Sequence, residues 1–183
     1  MKKIGIFAGS SDLSIPFFKE EVERLADLLA EKSYQIVYGA GKVGLMGVLS
    51  QRYYAHKGML IGVVPHYLNR SELVFEYCNE LIVTKDLHDR KETMENLSDA
   101  FIVLPGGIGT MDEFLNVLAS KQLKYHNKPL FLLNIDNFFE FVRDMIETMF
   151  NHRFIHDGHK HLYQCMNTPE ELVEKLEQSF SLF

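Results

Sequence analysis

Cysteine is scarce in this sequence, with two residues among 183. Cys78 and Cys165 lie far apart and form no C-x-x-C spacing, so neither a disulfide framework nor a zinc site is indicated. We therefore expect a reducing, cytoplasmic compartment. Four histidines crowd the C-terminal region: His152, His156, His159 and His161. Their spacing matches no known zinc pattern, and we interpret them as a surface cluster without a metal.

Long apolar runs are missing as well. No stretch approaches the roughly 20 apolar residues that a membrane span needs, so we expect no contact with a membrane. The apolar run that follows Lys2 and Lys3 is about half as long as the apolar region of a signal peptide. Ser10, Ser11 and Asp12 interrupt it at once. We interpret this run as a first buried strand.

Positive charge is also in short supply. The chain has 19 Lys and Arg against 25 Asp and Glu, a net charge of −6 and a pI near 5.7. This balance argues against a general binder of nucleic acid or anionic membranes, since both need a positive surface. A local basic pocket for a small anion stays open. The length fits a single domain over residues 1–183.

Short apolar runs alternate with amphipathic segments along the whole chain, which is typical of βα units on a parallel sheet. The predicted strands are residues 3–8, 34–38, 59–64, 80–84, 100–104, 129–134 and 162–165. The predicted helices are residues 17–32, about 47–56, 86–97, 110–124, 138–150 and a last one after Thr168. Ser14 and Pro16 predict the start of the first helix. The fold class is α/β, with a mostly parallel sheet of about seven strands flanked by helices.

A glycine-rich turn between a buried strand and a helix is the strongest local signal. It reads Leu104-Pro105-Gly106-Gly107-Ile108-Gly109-Thr110-Met111-Asp112-Glu113. It falls at the carboxyl end of the sheet, where open α/β folds bind ligands. Glycines let backbone N–H groups approach an anion, and a helix start adds a positive dipole, so the turn predicts a phosphate site. The alternative is a tight turn that needs glycine for steric reasons alone.

Three side chains near this turn predict chemistry. Glu113, one turn into the helix, predicts an acid/base or charge-stabilising group, although it could simply complement the helix dipole. Arg90 and Lys91 lie near the start of the preceding helix, where cations are unfavourable. Arg90 offers a planar fork and Lys91 a point charge to an anionic ligand. The alternative is a solvated face balanced by nearby acids: Asp86, Asp89 and Glu92.

A second glycine pattern, at Gly39, Gly41 and Gly44, fits G-x-G-x-x-G. It follows the second strand, and no acidic residue between Gly39 and Ser71 could hold a ribose hydroxyl. It is not a P-loop either, because valine follows Lys42. An NAD-dependent oxidoreductase is therefore not favoured.

Together these motifs resemble the Lonely Guy (LOG) family of cytokinin riboside 5′-monophosphate phosphoribohydrolases. The family pattern R-K-x-x-M, then D-A-F-I-x-L-P-G-G-x-G-T-x-x-E, occurs here between Arg90 and Glu113. Further matches at residues 38–39, 44–47, 61–65, 126–129, 132–134 and 169–172 extend the resemblance over nearly the whole chain. Many relatives carry the label "lysine decarboxylase", but nothing in this sequence resembles a pyridoxal-phosphate site.

The resemblance implies a Rossmann-like fold and an N-glycosidase. The substrate would be a purine nucleoside 5′-monophosphate, AMP or an N6-modified AMP such as a cytokinin riboside monophosphate, and the products free base and ribose 5-phosphate. It implies catalytic roles for Arg90 and Glu113, a homodimer with sites near the interface, and no cofactor. The implied ligand contacts are Glu72, Arg90, Lys91, Gly106, Gly107, Ile108, Gly109, Thr110, Met111, Asp112 and Glu113.

Several positions depart from the family pattern and are expected to line or support the base pocket. Ala40 replaces a usual glycine, Leu87 a usual methionine, Ile108 a usual aromatic residue, and Ala119-Ser120 a usual Thr-Trp. The reaction type is therefore indicated more directly than the identity of the base. The alternative function is a non-catalytic carrier, because related Rossmann-like proteins bind nucleotides or molybdenum cofactor.

Overall fold

A seven-stranded parallel sheet forms the centre of the fold. The computed structural model describes residues 1–11, 16–159 and 161–181. The strands are β1 (Lys3–Phe7), β2 (Gln35–Tyr38), β3 (Met59–Pro65), β4 (Glu80–Thr84), β5 (Ala100–Val103), β6 (Leu130–Leu133) and β7 (Gln164–Met166). Their order is β4-β3-β2-β1-β5-β6-β7, and every neighbouring pair is parallel. The predicted α/β class is confirmed.

Six α-helices accompany the strands in the described ranges. They are α1 (Pro16–Glu31), α2 (Gly44–Ala55), α3 (Leu87–Leu97), α4 (Ile108–Gln122), α5 (Glu140–Asn151) and α6 (Pro169–Ser181). Helix α4 begins two residues before the predicted start at Thr110, because Gly107 already has the extended backbone of an N-cap residue. Ser14, predicted to cap the first helix, lies outside the described residues. None of the described helices has the length and apolar character needed to cross a bilayer.

The helices cover both faces of the sheet, because the strands are apolar on both sides. On one face, α1, α2 and α6 bury side chains such as Leu25, Leu49 and Leu172 against the sheet. On the other face, α3, α4 and α5 bury side chains that include Met94 and Phe114. The two apolar layers enclose the sheet between them and leave its carboxyl edge to the loops.

A crevice opens at that edge between β1 and β5. The chain leaves β1 towards α1 on one face and leaves β5 towards α4 on the other, and ligands bind at such points in open α/β sheets. The two loops touch at the base of the crevice, where the Gly9 N–H donates to the Pro105 carbonyl at 3.0 Å.

The connection from β3 to β4 contains only a short 3-10 turn, His66–Leu68, among its regular elements. It packs against the loop that follows β2: the Phe75 N–H donates to the Ala40 carbonyl at 2.8 Å, and the Lys42 N–H donates to the Leu73 carbonyl at 3.1 Å. This contact forms one rim of the crevice.

Candidate functional site

A cavity of about 800 Å³ occupies the crevice, within the usual size range of small-molecule sites. Most of its wall is apolar, from Phe18, Val43, Leu45, Met46, Val64, Pro65, Leu68, Leu73, Val74, Leu87, Ile108 and Phe138. A few polar side chains interrupt this wall: Ser10, Ser11, Arg90, Thr110 and Glu113. A mainly apolar cavity with a few convergent polar groups is the usual form of a binding site for an organic ligand.

Residues 107–110, at the start of α4, lie on the cavity wall and have the geometry of an anion seat. Gly107 is the N-cap and makes no side-chain capping bond. The Met111 N–H donates back to the Gly107 carbonyl at 3.1 Å, whereas the N–H groups of residues 108–110 precede the first intrahelical bond. A phosphate held there would satisfy these donors and face the positive end of the helix dipole.

The three glycines of this turn serve two purposes. A Cβ on Gly106 would lie 2.2 Å from Thr110 Oγ1 and 2.8 Å from the Gly9 nitrogen, so packing alone requires glycine there. A Cβ on Gly107 or Gly109 would meet nothing within 4 Å. The steric alternative therefore explains Gly106 only. At the other two positions the backbone is bare towards open space, as close approach by an anion requires.

Arg90 and Glu113 form an ion pair in the cavity wall. Arg90 Nη1 donates to Glu113 Oε1 at 2.5 Å, and Arg90 Nε donates to the Val63 carbonyl at 3.0 Å. Their side chains are only 12% and 10% exposed. The solvated-face alternative is therefore wrong for Arg90. Burial raises the pKa of the Glu113 carboxyl above its usual value, although the Arg90 guanidinium acts in the opposite direction.

Lys91 lies beside this pair but contacts a different carboxylate. Its Nζ donates to both oxygens of Asp112, at 3.0 and 2.9 Å. The residues that line the cavity do not include Lys91, Met111 or Asp112. They do not include Glu72 either, which is exposed in a turn of the β3–β4 connection. The structure thus brings Arg90 and residues 106–110 and 113 to the cavity, and the contacts predicted for the other four residues stay predictions.

Several wall residues have no counterpart among the predicted contacts. Phe18 and Phe138 meet edge to face, with ring centroids 6.0 Å apart, and both line the cavity. Gly39 lines it at the end of β2, and Leu73 and Val74 come from the β3–β4 connection. The sequence could have identified them only by their position, because they follow strand ends or lie at the beginning of a helix at the carboxyl edge of the sheet.

The predicted histidine cluster lies away from this cavity. The rings of His156 and His159 are 6.2 Å apart and tilted towards an edge-to-face contact. Across residues 1–11, 16–159 and 161–181, no three His, Cys, Asp or Glu side chains come together in a way that could hold a metal ion.

Ala40 has the backbone conformation of a glycine. Its φ is 58°, in the left-handed region, and its side chain is fully buried beside Val64 and Val74. A non-glycine residue there costs about 1–2 kcal/mol. This cost explains why glycine suits the position that Ala40 occupies.

Replacing Ala40 by glycine should therefore leave the melting temperature unchanged or higher, because relief of strain offsets the lost methyl group. Ala100→Gly is the matched control, since Ala100 is equally buried but lies in β5. That control should lose about 1 kcal/mol, or roughly 3 °C. Thermal denaturation of both variants measures the difference, and an equal loss in the two would contradict the strain argument.

Comparison with known proteins gives the family. A family model described as "Possible lysine decarboxylase" matches residues 46–176. The chain is 36% identical over 176 residues to the cytokinin riboside 5′-monophosphate phosphoribohydrolase LOG5 of Arabidopsis thaliana, covering 96% of this chain and 77% of that protein. It is 39% identical over 176 residues to LOGL6 of Oryza sativa subsp. japonica, a probable cytokinin riboside 5′-monophosphate phosphoribohydrolase. That match covers 96% of this chain and 70% of LOGL6. The chain belongs to the LOG family.

Solved structures with the same fold include carrier proteins. The molybdenum cofactor carrier protein of Chlamydomonas reinhardtii has a TM-score of 0.76 at 17% identity, covering 100% of this chain and 99% of that one. The molybdenum cofactor binding protein of Rippkaea orientalis has a TM-score of 0.72 at 21% identity, covering 98% and 97%. At these identities the likeness concerns the fold alone.

The departures from the LOG pattern divide into two groups in the structure. Leu87 and Ile108 line the cavity, as expected for residues near a base pocket. Ala119 is exposed on α4, and Ser120 donates to Glu95 Oε2 at 3.2 Å on the side of α4 that meets α3. Leu87 and Ile108 therefore lie where a residue of the base pocket could be, whereas Ala40, Ala119 and Ser120 are not among the lining residues.

Proposed function

We propose that this LOG-family chain hydrolyses the N-glycosidic bond of a purine nucleoside 5′-monophosphate, AMP or an N6-modified AMP, to free base and ribose 5-phosphate. The observation that carries the proposal is the buried ion pair of Arg90 on α3 with Glu113, which lies on α4 one helical turn beyond the anion seat. An anion seat and a carboxylate on one wall suit a substrate that has both a phosphate and a sugar.

The dimensions of α4 set how the substrate would lie. Glu113 is three residues beyond Thr110, so its Cα lies about 5 Å along the helix axis. With the phosphate at residues 107–110, the ribose would extend towards Arg90 and Glu113. The base would then contact the apolar wall, whose residues include Leu73, Val74 and Leu87.

The chemistry requires stabilisation of positive charge on the sugar. As the bond from C1′ to the base nitrogen breaks, the ribose becomes oxocarbenium-like, and a nearby carboxylate stabilises it. Water then adds its oxygen to C1′, and a proton goes to the departing base. Glu113 would stabilise the sugar while activating that water or binding the ribose hydroxyls, and burial raises its pKa, which makes the carboxylate a better proton acceptor. Arg90 would orient the nucleotide and offset charge on the departing base.

The wall supports glycoside hydrolysis better than a decarboxylation of lysine. A pyridoxal-phosphate enzyme needs a lysine amine at the cofactor. Among the wall residues in the described part of the chain there is no lysine. The phosphate seat would instead supply binding energy remote from the reacting bond, which can serve to position that bond.

Incubation of the purified protein with AMP and with N6-substituted AMP tests the proposal. We expect adenine, or the substituted base, and ribose 5-phosphate in equal amounts by chromatography. Tight binding of AMP without release of base would instead indicate a carrier. Comparing the two nucleotides identifies the preferred base.

We also propose a homodimer that forms through α4. Its exposed face has a row of apolar residues, spaced so that they lie on one side of the helix: Ile108, Leu115, Ala119 and Leu123. We call this row the apolar stripe. Ile108 is 90% exposed and lines the cavity, so a second copy on this stripe would also close the cavity mouth. Exposed apolar patches of this kind mark interaction surfaces.

Leu115→Glu should convert this dimer into a monomer, because it places a charge at the centre of the stripe. Size-exclusion chromatography with light scattering should give twice 21.2 kDa for the wild type and 21.2 kDa for the variant. Phe154→Glu is the control: Phe154 is 83% exposed but lies outside α4, and the dimer should persist. A dimeric Leu115→Glu variant would place the interface elsewhere.

A cytoplasmic location is part of the proposal. The thiols of Cys78 and Cys165 are free and half-buried, and burial raises the pKa of both. Unpaired thiols are typical of reducing compartments. Fractionation of the source cells tests this, and recovery of the protein outside the cytoplasm would contradict it.

A further inference from the structure

We infer that Gly39 is a positioning residue for Arg90, an inference that rests on the role proposed for Arg90 in the reaction. Gly39 lies directly after β2 and lines the cavity. The absence of a side chain at this position leaves the space in which the Arg90 guanidinium lies. Gly39 would thus act on the reaction through the placement of another residue.

The guanidinium is held at two of its three nitrogens. Nε donates to the Val63 carbonyl at 3.0 Å, and Nη1 donates to Glu113 at 2.5 Å. Because the group is planar and rigid, these two bonds also fix the position of the third nitrogen, Nη2. That nitrogen lies over the Cα of Gly39: a Cβ built there would be 2.2 Å from Nη2 and 3.3 Å from Cζ of Arg90.

The backbone at Gly39 gives no other reason for glycine. Among the described glycines, only Gly44 has a positive φ, so Gly39 has a conformation that other residues adopt freely. Besides the Arg90 atoms, the nearest neighbour of a Cβ on Gly39 would be Met46 Sδ at 3.1 Å, which a flexible side chain can relieve. The contact with Arg90 is therefore the steric constraint on this position.

An alanine at position 39 would displace the guanidinium rather than the backbone. Real Cβ contacts do not fall below 3.0 Å, so Nη2 would have to move by about 1 Å. A movement of that size cannot keep both the Val63 and the Glu113 bonds in a planar group. Misplacement of a catalytic group by about 1 Å can cost on the order of a hundredfold in rate.

A different role for Gly39 would be direct contact with the ligand, since it lines the cavity. The two roles predict different behaviour once Arg90 is removed. If Gly39 acts through Arg90, then Gly39→Ala has nothing left to displace in an Arg90→Ala background. If it acts by contact with the ligand, its effect persists there.

The test is a double-mutant cycle of Gly39→Ala and Arg90→Ala, with kcat and KM for AMP measured under single-turnover conditions where rates are low. We expect Gly39→Ala to lower kcat/KM by at least about tenfold in the wild-type background and by less than about twofold in the Arg90→Ala background. Equal losses in both backgrounds, or no loss in the first, would overturn the inference.

Gly41→Ala controls for Met46. A Cβ on Gly41 would meet the same sulfur atom, at 3.2 Å, but no Arg90 atom is among its three nearest neighbours. Its loss should be at least about fivefold smaller than that of Gly39→Ala. Because Gly41 also lines the cavity, an equal loss would assign the effect to Met46 or to contact with the ligand, and either result would overturn the inference.

Two further measurements separate this inference from the proposed reaction. If the wild type releases no base from AMP, the proposed function fails, and a crystal structure of Gly39→Ala still decides the inference: Arg90 must have lost its bond to Val63 or Glu113. If Gly39→Ala does not fold, the double variant with Arg90→Ala must recover the melting temperature of Arg90→Ala alone. An unmoved Arg90, or a double variant that stays unfolded, contradicts the positioning role.

Discussion

Replacing Glu113 by glutamine should leave AMP bound but slow its hydrolysis by at least about a hundredfold, the scale of a lost acid/base or electrostatic group. The amide has nearly the shape of the carboxylate and still offers an oxygen to the Arg90 guanidinium, so the cavity keeps its form. It cannot carry the negative charge that stabilises the sugar or accept a proton from water. The loss should therefore fall on kcat, with AMP affinity by calorimetry retained.

Glu92→Gln is the matched control for this experiment. Glu92 lies on α3 two residues beyond Arg90, and its side chain is exposed. The same loss of one negative charge near the site should leave turnover at the wild-type level. Unchanged turnover in Glu113→Gln would remove Glu113 from the mechanism, whereas equal losses in both variants would assign the effect to net charge.

Arg90→Ala should weaken both nucleotide binding and rate, with kcat/KM reduced by about a hundredfold to a thousandfold. The substitution removes a group that faces the ligand and leaves the Glu113 carboxylate buried without its partner. Arg90→Lys keeps the charge but loses the planar fork that joins Val63 to Glu113, and we expect an intermediate loss. Normal kinetics in Arg90→Ala would contradict a catalytic role and leave Arg90 a purely structural role as the buried partner of Glu113.

The pH dependence of these variants gives an independent measure of the pair. Burial raises the pKa of Glu113, so the acidic limb of the wild-type kcat/KM profile should lie above about 4.3, the ordinary value for glutamate. The guanidinium of Arg90 lowers this pKa, and its removal should raise it further. The residual activity of Arg90→Ala should therefore require higher pH than the wild type. A limb that moves to lower pH would contradict the ion pair.

The fold was predictable because its signals are local. The uniformly apolar run of β5 indicates a strand buried on both faces, and the structure buries all of Ala100–Val103. Asp86 caps α3 through its carboxylate, which accepts from the His88 and Asp89 N–H groups at 2.9 Å. The helix therefore begins at Leu87, one residue after the predicted start. Each of these features depends on residues close together in the sequence.

The candidate site was predictable only in part, because its geometry depends on residues far apart in the sequence. The turn at residues 106–110 carries its own signal, but the pairing of Arg90 with Glu113 requires the packing of α3 against α4. Gly39 and Arg90 are separated in the sequence by α2, β3 and β4, so their contact has no local signature. Glu72, implied by resemblance alone, lies on the exposed side of its turn.

A crystal structure of Glu113→Gln with AMP bound would show where the phosphate and the ribose lie. We predict the phosphate within hydrogen-bond distance of the backbone N–H groups of residues 107–110. We also predict that ribose C1′ lies between the Arg90 guanidinium and the side chain at position 113. A phosphate bound away from the start of α4, or a ribose remote from both side chains, would contradict the proposed roles of Arg90 and Glu113.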